Sequence, residues 1–586
     1  MPREDIRIKL ECRLILTRCG RNINRLMVAS MTNSTNNDIK NGETEIESKN
    51  VAQQVIDALV ELGVKHVFGV PSGGWVDYME AMRTTEGIDF VLATHEGGAG
   101  FMADVCGRIT GVPGVCFGTF GPGATNLATG VGSAYLDRSP MIALTDEFAA
   151  DKRSRNVQMN IDHQALFAPI TKKTTRLEAD KVREIIFDAA HVALSGIPGP
   201  VHVGLPAGMS TQVTPVSSAK PLQIESEKSA KLSDLTLMNK LFADAKKPVI
   251  ALGMRAVTSD VGEQVIAFAE KHNVPVVITP MAKGIMNETH PNYVGVLFHA
   301  LSDVVGQTHQ QADLVLSIGY DEIEFNYEDW IPNVPLISVD IVATDLDISE
   351  YTLACDVIGN INHSVEYLAG VECEAKDWDL QALAERKQDM LNRMSPDSSA
   401  FGPCAALDIL RDKLPQDGIM TCDVGAHIHL IGQKWTTPKS GQQIMTNGWS
   451  AMGFAIPSAI TAKLCNPDLP VCSVIGDGGF LMTAGELAVA VREKLKIVFV
   501  LFTDNDLALI RIKQEKKSNP IYGTPIRERG TIGGDNIFGV PVIKAFDTTE
   551  FASALDTAFE QDGPVIVEAI LNSREYDQLV LRKDKP

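Results

Sequence analysis

Apolar positions along the chain follow two alternating rhythms. In VAQQVIDALVEL, Val51, Val55, Leu59 and Leu62 recur at three- and four-residue steps, the spacing of one helical face, with Ser48 as predicted cap and Gly63 as stop. VKHVFGVP, apolar from Val67 onward, then reads as a buried strand. The alternation continues through strand DFVLATHE, a helix over FMADVCGRITG, strand GVCFGT, a helix after GPGATN and strand MIALTDE, and closes near PVHVGLPAG. After the polar stretch TQVTPVSSAKPLQIESEKSAK a second unit carries the strands PVIALGM, VPVVITP, ADLVLSIG and VPLISVDI. A second polar linker lies around 371–400, and a third unit carries IMTCDVG, LPVCSVIGD and IVFVLFTD. Strands separated by helices predict an α/β fold of three doubly wound parallel-sheet domains, at 47–212, 230–370 and 400–575.

Residues 1–46 break the pattern. The first 31 carry seven Lys/Arg against three acids, and 32–46 are polar, so a basic and then polar leader without order is expected. Either an organellar transit peptide or translation from Met31 would explain it. The poor amphipathicity of LECRLILTRC favours the second.

With 586 residues, 45% hydrophobic and 22% charged, the chain is too apolar for wholesale disorder. A formal net charge of −21 argues against general nucleic-acid binding, which needs a basic footprint. The ten cysteines form no CxxC pair, which disfavours zinc ribbons and thioredoxin-like chemistry. Several of them sit inside apolar runs, as small buried hydrophobes do in a reducing compartment. No apolar run approaches the roughly 20 residues needed to cross a bilayer. A cytoplasmic protein without a membrane partner is expected.

Candidate chemistry lies where strands end. Ligands of open parallel sheets bind beyond the carboxyl ends of the strands. VCSVIGD ends at Asp477 and is followed by Gly478 and Gly479. IVFVLFTD ends at Asp504 and is followed by Asn505 and Asp506. Between them TAGELAVAVREKL reads as a helix opened by a capping box from Thr483 to Glu486. One strand–helix–strand unit puts both acids on the same sheet edge. There Asp477, Asp504 and Asp506 are candidate Mg²⁺ ligands, and the two glycines would let backbone N–H groups approach a diphosphate. Spacing alone leaves open that Asp477 only makes a turn and Asp504 is an exposed strand-end acid.

The segment GDGGFLMTAGEL through FTDND resembles the metal–diphosphate motif of thiamine-diphosphate enzymes. ATHEGGAGFMAD resembles the stretch that carries their catalytic glutamate, here Glu96. GTFGPGATNLATG is similar to their GPG loop, and TNGWSAMGFAIPSAI to the segment whose bulky residue, here Met452, supports the bent cofactor. The resemblance implies a pyrimidine-binding, a central and a diphosphate-binding domain. It also implies an active site between subunits, hence a dimer at least and a tetramer by expectation. In that reading Glu96 hydrogen-bonds the pyrimidine ring. Asn447 and Gly448 bond its edge through their backbone, and Gly425, Ala426 and His427 of DVGAHIH line the diphosphate. Taken alone, Glu96 could instead be a helix first-turn acid, and Met452 core packing.

Within that family the chain resembles acetolactate synthases, especially the catabolic FAD-independent type, in IDHQALFAPITK, IGYDEIEFNYEDW (318–330) and DNDLALIRIKQEKK. This implies condensation of two pyruvates to 2-acetolactate and CO₂, with thiamine diphosphate and Mg²⁺. FAD is the less favoured addition: no GxGxxG occurs in the central unit, but the family's FAD sites do not use that fingerprint, and it is the resemblance of GYDEIEFNYEDW to the FAD-independent type that tips the reading. Another 2-keto acid decarboxylase, an aldehyde-transferring lyase, or a non-catalytic paralogue are the alternatives. Phe120 is a candidate apolar wall for the substrate, and Gln164, beside His163, a candidate polar contact. Two departures from the catabolic pattern stand out: Gly74 where a lysine is common, and Met159 where a glutamine is common. A cation for a second keto-acid carboxylate is therefore missing from the early loop. Arg511 or Lys513, expected on an exposed helix, are the substitutes.

Overall fold

The computed structural model describes residues 47–325, 333–395, 400–528 and 530–580. The basic leader and the NYEDW part of the central resemblance segment lie outside these residues.

Three sheets organise the chain. The first has the order Asp89–Leu92, His66–Gly69, Gly114–Gly118, Met141–Glu147, Pro200–Pro206, Lys173–Arg176, all pairs parallel. The second runs Tyr293–Val296, Val276–Ile278, Pro248–Leu252, Leu314–Ile318, Leu336–Asp340, Leu353–Ile358, again parallel throughout. The third runs Gln443–Ile444, Ile419–Cys422, Val471–Gly476, Val498–Thr503, Val565–Ile570, Val540–Ala545, Asn536–Ile537, and only its last pair is antiparallel. Helices cover the faces, which is why the central strands read as unbroken apolar runs. In Met141–Glu147 all seven residues are buried.

The first and third units share a core. Helix Glu96–Thr110 packs on helix Pro122–Leu136 and on helix Ala455–Cys465. Phe101 meets Phe454 edge-on at 5.6 Å between ring centroids, both buried. Gly100 and Gly130 let the first two helices touch: a methyl on Gly130 would lie 2.4 Å from the Cα of Gly100. Burial of two such aromatic rings is worth about 1.5–3 kcal/mol each.

Some boundaries differ from the sequence reading. Helix Val51–Glu61 is capped by Asn50, whose side chain accepts from the Gln53 N–H. Ser48 instead pairs with Pro215 in a short antiparallel ribbon. Strand DFVLATHE stops at Leu92, and the next helix starts at Glu96 rather than at the FMAD segment. Glu96 is thus a first-turn residue, not the end of the strand.

Candidate active site

Glu96 opens its helix behind His95, whose Nδ1 caps the helix by accepting from the Gly97 N–H at 3.0 Å. Asn126 Nδ2 donates to Glu96 Oε2 at 3.0 Å. On the other oxygen the chain comes so close that a methyl on Gly123 would lie 3.2 Å from Oε1. The Thr119–Gly123 loop therefore has one end against Glu96.

A residue the sequence reading misassigned holds this turn in place. Glu486 makes no capping box with Thr483. The helix after the Val471–Gly476 strand already starts at Asp477, and Glu486 ends a 3₁₀ turn. Its carboxylate crosses to the first unit, accepting from the Thr94 N–H at 3.1 Å and the His95 N–H at 3.0 Å. Burial raises its pKa, and these bonds oppose the rise. Gly98 is small for this contact: a methyl there would lie 2.4 Å from Glu486 Oε1. Partners nearly four hundred residues apart leave no local signal.

The third sheet gathers acids at its carboxyl edge. Asp477 is 2% exposed and accepts from the Asn505 N–H at 2.7 Å. Burial pushes its pKa up to about 6. Asp504 is raised to about 7 by burial and then by the charge of Asp477. Two carboxylates this close resist joint ionisation unless a cation lies between them. Asp506 bonds Arg511 Nε through Oδ2 at 3.1 Å, while its Oδ1 and Asn505 Oδ1 are buried without a partner. Unsatisfied hard oxygens beside these two carboxylates suit Mg²⁺.

Around this cluster side chains close in on the glycines. A methyl on Gly478 would lie 2.8 Å from Leu507 Cδ2 and 3.1 Å from Met452 Cε, so Met452 lies over this glycine. A methyl on Gly479 would lie 2.5 Å from Asp423 Oδ2. Asp423, absent from the sequence candidates, takes the Gly453 N–H with both oxygens, at 2.9 and 3.0 Å, and so fixes the residue after Met452. Burial raises its pKa to about 7. Gly425 and Ala426 begin helix Ala426–Lys434, whose free N–H groups face this edge. His427 fills the space beneath: a methyl on Gly425 would lie 2.8 Å from its Cε1, and one on Gly476 3.2 Å away. Burial lowers its pKa to about 4, and Nε2 has no partner.

Four sequence candidates are engaged elsewhere. The N–H groups of Asn447 and Gly448 both donate to Asp137 Oδ1, at 3.1 and 2.7 Å, and Asn447 Nδ2 donates to the Glu324 carbonyl at 2.8 Å. Those N–H groups are not free for a pyrimidine edge. Gln164 turns inward, donating to Glu147 Oε1 at 2.7 Å and the Thr175 carbonyl at 3.0 Å. Arg511 is buried, not exposed, and clamped by Asp506, Glu515 and Asp577. Phe120, by contrast, faces open space: it lines a cavity of about 350 Å³ and packs 4.6 Å from Phe148, centroid to centroid.

Three profiles of the thiamine pyrophosphate enzymes match the chain: the N-terminal TPP-binding domain over residues 49–166, the central domain over 235–368 and the C-terminal TPP-binding domain over 423–569. The chain belongs to the thiamine pyrophosphate enzyme family. Its curated relatives narrow the class to acetolactate-synthase-like enzymes. The acetolactate synthase of Bacillus subtilis is 30% identical over 544 residues, 91% of this chain and 95% of the relative. The acetolactate synthase isozyme 3 large subunit of Escherichia coli is 28% identical, over 79% of this chain and 84% of its own. Acetolactate synthase 3, chloroplastic, of Brassica napus is 26% identical over 90% and 85%. Among the described residues no helix is long and apolar enough to cross a membrane.

Proposed function

We propose that the protein condenses two molecules of pyruvate to 2-acetolactate with release of CO₂, using thiamine diphosphate anchored by Mg²⁺ and no FAD. The observation that carries the reading is the pair of strand-end carboxylates, buried Asp477 and half-buried Asp504, whose pKa the charge of Asp477 helps to raise, flanked by unpartnered oxygens of Asn505 and Asp506. These oxygens would hold the metal. Gly478, Gly479 and the first N–H groups of helix Ala426–Lys434 would meet the diphosphate, with the neutral His427 ring packed beneath them. Met452, steadied by Asp423 through Gly453, would support the cofactor rings. When bound, thiamine diphosphate supplies the carbon that adds to a keto group and accepts the electron pair left by loss of CO₂.

Glu96 does the protein's share of proton handling. Asn126 occupies Oε2, which leaves Oε1 to share a proton with a ring nitrogen of the pyrimidine. Glu486 and His95 keep that oxygen in place. The sites pair across two subunits, Glu96 from one and the acid cluster from the other, so a dimer is the smallest active unit and a tetramer the expected one.

The absence of FAD is supported by the central sheet. Its strand order reverses between Pro248–Leu252 and Leu314–Ile318, the usual place for a dinucleotide. That crevice is filled: Arg255 binds Asp321 and Asp340, Arg138 reaches Asp321 at 2.8 Å, and a methyl on Gly253 would strike the Tyr320 Cα at 2.4 Å. A panel of 2-keto acids, assayed for CO₂ and products by mass spectrometry, tests the reading. Acetolactate from pyruvate is expected. Acetaldehyde alone, or turnover only of aryl or branched keto acids, refutes it.

A further inference from the structure

The carboligase reading leaves the second keto acid without a cation for its carboxylate. Gly74 offers none, and a methyl there would already lie 2.7 Å from the Asp146 carboxylate. Arg511 is held by three acids, and Lys513 lies on an exposed part of its helix. The cavity beside Phe120 offers a different group.

This cavity opens beyond the carboxyl end of strand Met141–Glu147 and is lined by Phe120, Phe148, Arg153, Asn160, His163 and Arg176, among others. Its charges are not equivalent. Arg176 is spent on Glu147, and Asp162 caps helix His163–Phe167 by accepting from the Ala165 N–H at 3.1 Å. The guanidinium of Arg153 is half-buried and has no partner among the described residues. One free guanidinium lining the same cavity as two aromatic rings suits a small carboxylate with an apolar tail. The planar fork takes both carboxylate oxygens, and the rings take the rest.

Position favours the same occupant. The Thr119–Gly123 loop forms the wall between this cavity and the Glu96 site, Phe120 on one side and Gly123 against Glu96 on the other. Its middle is pinned: the Gly121 N–H donates to His163 Nε2 at 3.2 Å, His163 Nδ1 meets Thr145 Oγ1 at 2.9 Å, and Thr145 meets His202 Nε2 at 2.7 Å. Glu147, His163 and His202 approach within the span of a metal site, but the guanidinium of Arg176 already sits on Glu147 and both nitrogens of His163 are bonded. The trio is a brace for the loop, not a cation site.

We infer that this cavity is the acceptor subsite, in which Arg153 binds the carboxylate of the second 2-keto acid while Phe120 and Phe148 enclose its alkyl end. The inference rests on the carboligase reading, and one set of measurements separates the two. In a single turnover with pyruvate, Arg153→Gln should release CO₂ as the wild type does. At steady state its acetolactate-to-acetaldehyde ratio should fall roughly 10–100-fold, the worth of a charge-assisted hydrogen bond. Arg153→Lys should recover part of the loss. Addition to acetaldehyde, an acceptor without a carboxylate, should not change. In the presence of thiamine diphosphate and Mg²⁺, oxamate should bind Arg153→Gln at least roughly tenfold more weakly than wild type. An unchanged product ratio, an equal loss of single-turnover CO₂, or unchanged oxamate affinity overturns the acceptor subsite. A wild type that releases no CO₂ from pyruvate overturns the carboligase reading instead, and oxamate affinity still decides whether Arg153 binds carboxylates.

Discussion

Replacing Glu486 by Gln keeps the side chain's size and removes its charge. In the native contact Oε2 accepts from Thr94 and Oε1 from His95, at 3.1 and 3.0 Å. An amide can keep one of these bonds, but it must point its NH₂ at the other N–H. Hydrogen bonds to a charged group contribute about 1.5–3 kcal/mol, and losing one while weakening the other places the cost in the same range, about 2–3 kcal/mol. The damage falls on the turn that leads into Glu96, one residue beyond His95. A displacement of about 1 Å costs on the order of 100-fold in a positioned reaction. Glu486→Gln should therefore bind thiamine diphosphate within a few-fold of wild type, and hydrogen–deuterium exchange at the thiazolium carbon should slow at least roughly tenfold. Exchange is read by NMR after acid quench, and stability by urea denaturation. A variant with the predicted loss of stability but wild-type exchange would refute the idea that Glu486 positions Glu96.

Glu96→Gln should retain cofactor binding while thiazolium exchange falls by about 10²–10⁴, the span of general acid–base contributions; a smaller loss counts against its role. Asp477→Ala should abolish Mg²⁺-dependent binding of thiamine diphosphate and Asp504→Ala should weaken it strongly, read by fluorescence titration with and without EDTA; normal binding in EDTA by both sinks the metal assignment. Glu324, wholly buried, has its pKa raised from 4.5 to about 8 by desolvation, so the folded state holds its proton more tightly than the unfolded chain. Stability from this group is intact below pH 4.5 and is lost as pH rises toward 8, each pH step of one between those values removing about 1.4 kcal/mol. Glu324→Gln should leave the melting temperature near wild type at pH 4.5 and raise it at pH 8; equal effects at both pH values would contradict the burial argument.

The sheets were readable because parallel strands covered on both faces carry apolar runs, and the segment MIALTDE, opened by such a run, matches its strand residue for residue. Lys173–Arg176 escaped because it is a polar edge strand, KTTR, with only one neighbour. The strand-end acids Asp477 and Asp504 stood out in the sequence because they follow such runs directly. Asp423 follows one too, but its partner Gly453 is thirty residues away and invisible to local patterning. Thr483 and Glu486 have the spacing of a capping box, yet the contact with Thr94 and His95 competes for the same carboxylate and wins. Arg511 looked solvent-facing because the acids that bury it, Asp506 and Asp577, come from outside its helix. Arg153 carries no sequence signal at all; only the cavity that gathers Phe120, Phe148 and its own loop singles it out.

The most direct test is the stoichiometry of pyruvate consumption by the purified full chain, supplied with thiamine diphosphate and Mg²⁺ but no FAD. ¹³C-labelled pyruvate, followed by NMR and mass spectrometry, should give one acetolactate and one CO₂ for every two pyruvates consumed, and none when either thiamine diphosphate or Mg²⁺ is withheld. One acetaldehyde and one CO₂ per pyruvate, or turnover that appears only when FAD is added, would contradict it.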